Sequence, residues 1–191
     1  MRIENENIVI RSVRLEDAAQ LNHWWNDGRV MEHAGFPRGV GQTLQETEAS
    51  IRAWEGQLSQ HCIIEIDGRA VGELSYRLKG DGAAYPGWKL CDPDYQNQGY
   101  GPKIIKMLFN FLFTDQRIKT RSPIDRIIWD TLLENKRAQH VYEKKIKAKQ
   151  TGIKKAIWRD QEGNWRSAVF YEMSREAFFE THMGGSSSDE G

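Results

Sequence analysis

The sequence is poor in the features that mark several classes of protein. Two cysteines among 191 residues allow at most one bridge, which excludes a disulfide scaffold. No apolar run approaches the ~20 residues that a membrane-spanning helix needs, and the stretch from Met1 to Asn7 lacks the apolar core of a signal peptide. No histidines or cysteines have the spacing of metal ligands. We therefore expect one globular domain in the cytoplasm, without a metal, in which Cys62 and Cys91 are free, buried thiols.

Net charge is also lacking, because 27 basic side chains balance 27 acidic ones. The balance argues against a nucleic-acid partner, but the charges are unevenly distributed. Residues 1–98 carry 10 basic and 15 acidic side chains, whereas residues 116–159 carry 13 basic and 4 acidic ones. The basic segment has two interpretations, a solvated helix face or a site for an anion.

The pattern of apolar residues predicts an α/β domain over residues 1–183, followed by a flexible tail at 184–191. Short β-branched segments predict about seven strands, and the Asp67-Gly68 pair predicts a hairpin turn. Apolar residues at helical spacing predict about four main helices, and the helix from Pro102 to Phe113 is apolar enough to be largely buried. The predicted elements are strand 8–13, helices 15–25 and 43–58, strands 62–66, 70–77 and 84–91, helix 102–113, strand 124–131, helix 135–145, strands 152–158 and 167–173, and a short helix 175–179.

A glycine-containing loop precedes the apolar helix. Gly99 and Gly101 allow an anion to approach the backbone closely, and the start of a helix adds several N–H groups and the positive end of its dipole. Pro102 suits the first helical position. The loop lacks the Gly-Lys-Ser/Thr of a Walker A motif and the glycine spacing of a dinucleotide-binding fingerprint. By itself it indicates either a phosphate site or an ordinary tight connection.

Two motifs in order make the sequence resemble a known family. The stretch from Gln96 to Gly101 resembles the Gln/Arg-x-x-Gly-x-Gly/Ala acetyl-CoA signature of the GNAT superfamily of N-acetyltransferases. The stretch from Asn135 to Lys144 resembles that family's Asn-x-x-Ala-x-x-x-Tyr-Glu-Lys helix. The pair is far more specific than either motif alone. The sequence departs from the family where Ile146 and Lys147 replace the usual Gly-Phe, which leaves the end of this helix open.

The resemblance implies a single-domain fold with a mostly antiparallel sheet and a splay between the strands near 85–91 and 125–131. Acetyl-CoA binds in that splay in the family. The amide of Leu90 or Cys91 would polarise the thioester carbonyl, and the side chain of Asn135 would bond the pantetheine arm. The amides of Gln98, Gly99 and Gly101 would hold the pyrophosphate, Gln96 would shape the loop, and Lys103, Arg137 and Lys144 are candidates for the remaining phosphates.

The resemblance also implies catalytic roles. Tyr142 would be the general acid for the leaving thiolate, and it shares a helix face with Asn135, two turns earlier. Glu73 is the first candidate for the base, ahead of Asp92 and His33, and ordered water is the alternative. The acceptor would meet Trp25, Asp27 and His33 at the mouth of the cleft, although core packing explains a tryptophan equally well.

The function implied is acetyl-CoA-dependent transfer of an acetyl group to a primary amine of a small molecule or a protein N-terminus. The helix ending in Trp24-x-x-Asp27 resembles the branch that contains ribosomal-protein, polyamine and aminoglycoside 6'-N-acetyltransferases. Neither nucleic acid nor a membrane is an expected partner, and a homodimer remains open. The alternative is a catalytically silent acyl-CoA-binding or regulatory module of the same fold.

Overall fold

Eight strands form a single sheet in the computed structural model, which describes residues 1–182. The tail predicted at 184–191 lies outside the described residues. The strands are β1 (Arg2–Asn5), β2 (Ile8–Ser12), β3 (Gln60–Ile66), β4 (Arg69–Leu78), β5 (Ala83–Leu90), β6 (Arg126–Leu132), β7 (Lys149–Arg159) and β8 (Trp165–Ser174). Their spatial order is β1-β2-β3-β4-β5-β6-β8-β7. Every neighbouring pair is antiparallel except β5 and β6, which are parallel.

The described residues include seven α-helices. They are α1 (Ala18–Asn26), α2 (Gly28–Met31), α3 (Leu44–Trp54), α4 (Tyr100–Thr114), α5 (Gln116–Arg121), α6 (Lys136–His140) and α7 (Arg175–His182). Local chemistry fixes several of their ends. Thr43 and Glu46 form a reciprocal capping box at the start of α3, with N–H···O distances of 3.2 and 2.8 Å.

Helices cover both faces of the sheet and define two apolar layers. On one face α4 and α7 pack against the centre of the sheet, and on the other face α1 and α3 enclose a smaller cluster around Leu21, Trp24 and Ile51. The predicted burial of α4 is confirmed, since six of its side chains are at most 2% exposed. They are Ile104, Ile105, Leu108, Phe109, Leu112 and Phe113.

The parallel strands β5 and β6 separate soon after they meet. Only two pairs join them, Ala83 with Arg126 and Ala84 with Ile127, although β5 continues to Leu90 and β6 to Leu132. The predicted splay is therefore confirmed. Beyond Ala84, the backbone groups of β5 that point toward β6 have no ladder partner there, so they are available to a ligand.

The predicted and observed elements differ mainly at short segments. The sequence predicts seven strands and about four main helices, whereas residues 1–182 form eight strands and seven α-helices. β1 was missed because Ile3 is the only apolar residue in its four positions. α5 has six residues, and it begins because the Asp115 carboxylate accepts N–H groups of Arg117 and Ile118 at 3.0 and 3.1 Å.

The helix of the second motif ends in a way that the sequence leaves open. α6 continues into a π-helical turn, Val141–Ile146, which holds more residues per turn than an α-helix. Lys147 then takes the left-handed conformation with φ of +61°, and its N–H bonds to the Tyr142 carbonyl. The left-handed residue therefore stands one position later than the glycine of the family pattern, and Ile146 is fully buried instead.

Candidate active site

Tyr142 occupies the splay from the α4 face of the sheet. Its ring centroid lies 5.6 Å from Trp88 on β5 and 5.6 Å from Trp129 on β6, so one ring bridges the two separated strands. Only 7% of Tyr142 is exposed. Burial raises the pKa of the Tyr142 hydroxyl above its ordinary value of 10, and the smaller opposing effect of Trp88 does not reverse this. Tyr142 is thus protonated at neutral pH, which is the form that can donate a proton.

The end of β5 presents one backbone amide to the splay. The Cys91 N–H donates to the Val71 carbonyl on β4 at 2.9 Å, so this amide points away from β6. Backbone groups alternate in direction along a strand, and the Leu90 amide therefore faces the splay. Of the two amides that the sequence suggests for the thioester carbonyl, the geometry favours Leu90.

The loop after β5 leads directly into the first turn of α4. Gly99 begins this helix with φ of +82°, and a side-chain carbon placed on Gly99 or Gly101 would meet no atom within 4 Å. The first amides of a helix have no intrahelical acceptor, and the dipole of α4 adds positive potential at that end. Open space beside these amides fits a phosphate group. The Gln98 side chain closes the loop by bonding the Asp94 carbonyl.

The two motifs meet at the start of α6. The Gln96 amide donates to the Leu90 carbonyl at 2.9 Å, and the Gln96 carbonyl oxygen accepts a bond of 3.3 Å from the Arg137 guanidinium. The side-chain oxygen (Oδ1) of Asn135 caps α6 by accepting the Ala138 N–H at 3.1 Å. Gln96 therefore links the end of β5 to Arg137 at the start of α6.

Lys103 and Lys144 differ from Arg137 in their surroundings. Lys103 forms an ion pair of 2.8 Å with Glu6, and the side chains of both residues are substantially exposed. Lys144 is exposed on the π-helical turn. Of the three basic candidates, Arg137 is the one that the structure holds against the glycine loop.

Glu73 lies on the opposite, α1-covered face and is 3% exposed. Its carboxylate accepts bonds from Trp25 at 2.9 Å and His61 at 2.6 Å, and it forms an ion pair of 2.9 Å with Lys89. Burial raises the pKa of Glu73, but the His61 hydrogen bond and the Lys89 charge outweigh it and lower the pKa to about 2. Such a carboxylate is a weak proton acceptor, so its surroundings favour an anchoring role over that of base.

The other predicted acceptor residues are partly engaged within the protein. Trp25 is buried and packs edge-on against Trp54 and His61. Asp27 accepts the Arg29 backbone N–H at 2.9 Å to start α2, and it pairs with the Arg29 guanidinium at 2.7 Å. His33 is exposed in the turn after α2.

Asp92, the second candidate for the base, is also engaged. It accepts the Asp94 N–H at 3.0 Å and pairs with Arg69 at 3.0 Å. Its carboxylate thus stabilises the start of the glycine loop.

A tertiary connection that sequence patterns did not indicate crosses the α1 face of the splay. Met31 lies 3.0 Å from the Lys89 ammonium on β5, and further along the same segment the Gly35 carbonyl accepts the Gln161 N–H at 2.8 Å. Gln161 belongs to the turn between β7 and β8, and its side chain bonds the Gly39 carbonyl at 2.9 Å and the Arg38 N–H at 3.0 Å. Because β6 lies between β5 and β8, the 28–42 segment bridges across the splay.

Sequence patterns also did not single out Asp130, which lies on β6. It is the single acid in β6, between Trp129 and Thr131 and twelve positions before Tyr142. That isolated carboxylate in a predicted strand beside the splay is the signal that could have found it.

Both cysteines are buried thiols of low reactivity. Burial raises the pKa of Cys62 to about 12 and also raises that of Cys91. Over residues 1–182, no three His, Cys, Asp or Glu side chains are grouped as metal ligands. Over the same range, no helix combines the length and apolarity needed to cross a bilayer.

The splayed parallel pair, the glycine loop at a helix start and the buried tyrosine together form the candidate site. The chain matches the family model of the acetyltransferase (GNAT) domain over residues 7–145. It therefore belongs to the GNAT acetyltransferase family, as the two motifs predict. A search of curated protein sequences finds no match.

Solved structures agree on the fold. A GNAT-family acetyltransferase from Bacillus anthracis is 22% identical with a TM-score of 0.74, and the match covers 92% of this chain and 99% of that one. Spermidine N-acetyltransferase from Vibrio cholerae, in complex with CoA and spermine, is 13% identical with a TM-score of 0.78 and the same coverage. RimL, a ribosomal-protein α-N-acetyltransferase in complex with CoA, is 16% identical with a TM-score of 0.76, covering 93% of this chain and 99% of its own. At these identities, the likeness establishes the fold.

Proposed function

We propose that this protein transfers an acetyl group from acetyl-CoA directly to a primary amine of a small molecule or a protein N-terminus. The observation that carries the proposal is the Tyr142 ring, which stands between Trp88 and Trp129 where β5 and β6 separate. The amine nitrogen attacks the thioester carbonyl carbon, the carbon–sulfur bond breaks, and the Tyr142 hydroxyl gives its proton to the departing thiolate. The raised pKa of Tyr142 keeps that proton in place until it is needed.

Acetyl-CoA lies along the gap between the two motifs in this proposal. The Leu90 amide polarises the thioester carbonyl, and the Asn135 side-chain amide bonds the pantetheine arm. Cys91 lies at the end of β5 as part of the packing of the α1 face. The amides of Gln98, Gly99 and Gly101 hold the pyrophosphate, and Arg137 contributes positive charge beside them. Two of the similar solved structures contain CoA, which is consistent with this use of the fold.

The acceptor amine enters from the α1 face. The 28–42 segment and the turn at Gln161 bound this side of the splay, and Asp27 and His33 are the polar groups that we assign to its mouth. Trp25 contributes by holding Glu73 at 2.9 Å rather than by direct exposure. Spermidine and a ribosomal protein, the substrates that the names of two similar structures indicate, both supply amines.

A thiol-release assay tests the proposal. Purified protein is incubated with acetyl-CoA and, separately, polyamines, aminoglycosides and peptides with free N-termini. We expect one class to release CoA and gain one acetyl group per thiol, measured by mass spectrometry. Acetyl-CoA binding by calorimetry without turnover on any amine would instead support the silent acyl-CoA-binding module.

A further inference from the structure

Asp130 lies on the acceptor side of the splay. The Trp129 ring faces α4, with its centroid 5.1 Å from that of Phe109. Successive side chains of a strand point to opposite faces of the sheet, so Asp130 points to the α1 face. Tyr142 approaches the splay from the α4 face, and the two side chains therefore stand on opposite sides of the same gap.

An open space lies across the gap from Asp130. The last ladder pair joins Ala84 to Ile127, so Gly87 and Asp130 each lie three residues beyond it, on strands that have begun to separate. Gly87 lies two residues before Lys89 on β5, so both belong to the α1 face. A side-chain carbon at Gly87 would meet no atom within 4 Å. The absent side chain leaves free space on the Gly87 side of the gap, on the same face of the sheet as the Asp130 carboxylate.

Asp130 also differs from the other acids of the cleft in its partners. Among residues 1–182, no side chain forms an ion pair or hydrogen bond with its carboxylate, whereas Glu73, Asp27 and Asp92 are all paired. The Asp130 side chain is exposed to solvent at the gap, while the protein packed around its carboxylate partly desolvates it and raises its pKa above the ordinary value. A carboxylate of this kind accepts a proton more readily than Glu73 does.

Other charged groups on the same face come from three strands. Lys89 lies on β5, Glu172 on β8 is the ladder partner of Ile128, and the Lys154 ammonium of β7 stands 4.8 Å from the centroid of the Phe170 ring. Tyr142, on the far side, is the titratable group whose pKa the Asp130 charge raises. None of these bonds the Asp130 carboxylate, which leaves it available to a ligand.

We propose that Asp130 is the general base of the reaction and that the space at Gly87 holds the acceptor amine against it. This inference rests on the proposed acetyl transfer and adds the group that removes the proton. The ammonium gives one proton to Asp130, and the freed electron pair of nitrogen attacks the thioester carbon. The carbon–sulfur pair stays on sulfur, which takes the Tyr142 proton. The second nitrogen proton returns to Tyr142 through solvent, and Asp130 releases its proton to solvent.

The first test compares Asp130→Asn with Asp130→Glu. We expect Asp130→Asn to lower kcat/KM at least about a hundredfold and to abolish the rise of kcat/KM with pH that ionisation of Asp130 causes. Asp130→Glu should restore part of the rate and the acidic limb. Acetyl-CoA affinity should stay within about threefold, because the pyrophosphate site is untouched. Asp125→Asn, in the exposed turn before β6, is the matched control. An Asp130→Asn enzyme with wild-type rate and acidic limb would overturn the proposal.

The second test examines the space at Gly87. Gly87→Val should raise the KM for the amine at least about tenfold, since about 1.4 kcal/mol of lost binding gives that factor, and Gly87→Ala should have a smaller effect. Acetyl-CoA affinity should not change. Valine suits an exposed strand, so the variant should fold. An unchanged KM for the amine in Gly87→Val would remove the assignment of this space.

A third measurement separates failure of this inference from failure of the proposed function. If no amine is acetylated, the proposed acetyl transfer is wrong. Binding of an amine beside Asp130 can then still be measured without turnover. Carbon-13 NMR of labelled aspartate in the CoA-loaded protein gives the pKa of the Asp130 carboxyl, assigned through Asp130→Asn. Spermidine or an alanine-terminated peptide should lower that pKa by bringing positive charge beside it. If neither amine changes the pKa of Asp130, the proposed amine site is wrong.

Discussion

Glu73 and Tyr142 are both buried ionisable residues, but their surroundings move their pKa values in opposite directions. Three donors surround the Glu73 carboxylate, and they more than compensate for its burial. Tyr142 is surrounded mainly by the rings of Trp88, Trp129 and Tyr171, so burial dominates and its proton is retained. At neutral pH, Glu73 is therefore ionised and Tyr142 keeps its hydroxyl proton.

Replacing Tyr142 by phenylalanine should separate chemistry from binding. The ring and its packing remain, but the thiolate loses its proton donor, so we expect turnover to fall at least about tenfold with little change in acetyl-CoA affinity. Steady-state kinetics and calorimetry give the two values. Tyr171→Phe is the control, because its hydroxyl bonds Glu143 at 2.8 Å and is not assigned to the reaction. Unchanged turnover in Tyr142→Phe would remove the acid role.

Glu73→Gln should reveal a pH-dependent contribution to stability. The pKa of Glu73 falls from an ordinary 4.5 to about 2 in the folded protein. This difference stabilises the fold by roughly 3 kcal/mol above pH 4.5, and the contribution is lost as the pH falls through the folded value. Urea unfolding at pH 7, 4.5 and 3.5 should show the gap between wild type and variant narrowing only in acid. Glu55→Gln, at an exposed site, should show no gap; a gap independent of pH would contradict the assignment.

At the scale of elements, the π-helical turn explains how this helix ends without the expected glycine. The sequence predicts one helix over 135–145, but α6 has five residues and the π-helical turn has six. The wider turn moves the left-handed position to Lys147, where a side chain is strained. The turn also carries Tyr142, so the irregularity lies at the residue that we propose as the general acid.

Lys147→Gly should therefore stabilise the protein. Glycine adopts φ of +61° without the Cβ clash, and we expect the free energy of unfolding to rise by about 1 kcal/mol. Lys145→Gly, two residues earlier in the turn, should lower it by a similar amount because glycine is costly within a helix. Urea unfolding measures both. A loss of stability in Lys147→Gly would show that the lysine side chain outweighs the backbone strain.

Elements with local signals could be predicted, whereas their long-range contacts could not. Asp67 and Gly68 form the β3–β4 turn with φ of +52° and +76°, which their residue types favour directly. Tyr142 and Gly99 could be predicted as site residues because each belongs to a contiguous motif. The Arg38–Gln161 contact joins residues 123 positions apart, and no local period encodes it. Asp130 and Gly87 share one side of the splay only because of the sheet order, which no local pattern encodes.

At the scale of the whole molecule, the hydrogen bonds of Gln161 connect two distant parts of the chain on one side of the splay. This connection joins the 28–42 segment to the turn between β7 and β8. In the sheet, β6 lies between β5 and β8, so this connection crosses over the end of β6. Gly35 strengthens this contact, since a side-chain carbon there would lie 2.4 Å from the Trp158 ring. The side of the splay that we propose for the acceptor is thus held by the 28–42 segment and the turn at Gln161, which are separate from the glycine loop.

Gln161→Ala should weaken the acceptor side selectively. It removes the side-chain bonds to Arg38 and Gly39, so amide exchange in the 28–42 segment should accelerate, and the KM for the amine should rise severalfold. Acetyl-CoA affinity should be unchanged. Glu162→Ala on the same turn is the matched control, because the backbone of Glu162, not its side chain, bonds Asp160. Exchange rates identical to wild type would show that the backbone contacts suffice.

The basic charge of residues 116–159 has a further consequence through β7, which forms one edge of the sheet. This strand exposes Ile153 and Ile157, but it also carries exposed Lys149, Lys154 and Lys155 and an irregularity between Lys154 and Trp158. Like charges and a bulged backbone hinder the addition of another strand. The same lysines that suggested an anion site thus protect an exposed edge from polymerisation between molecules.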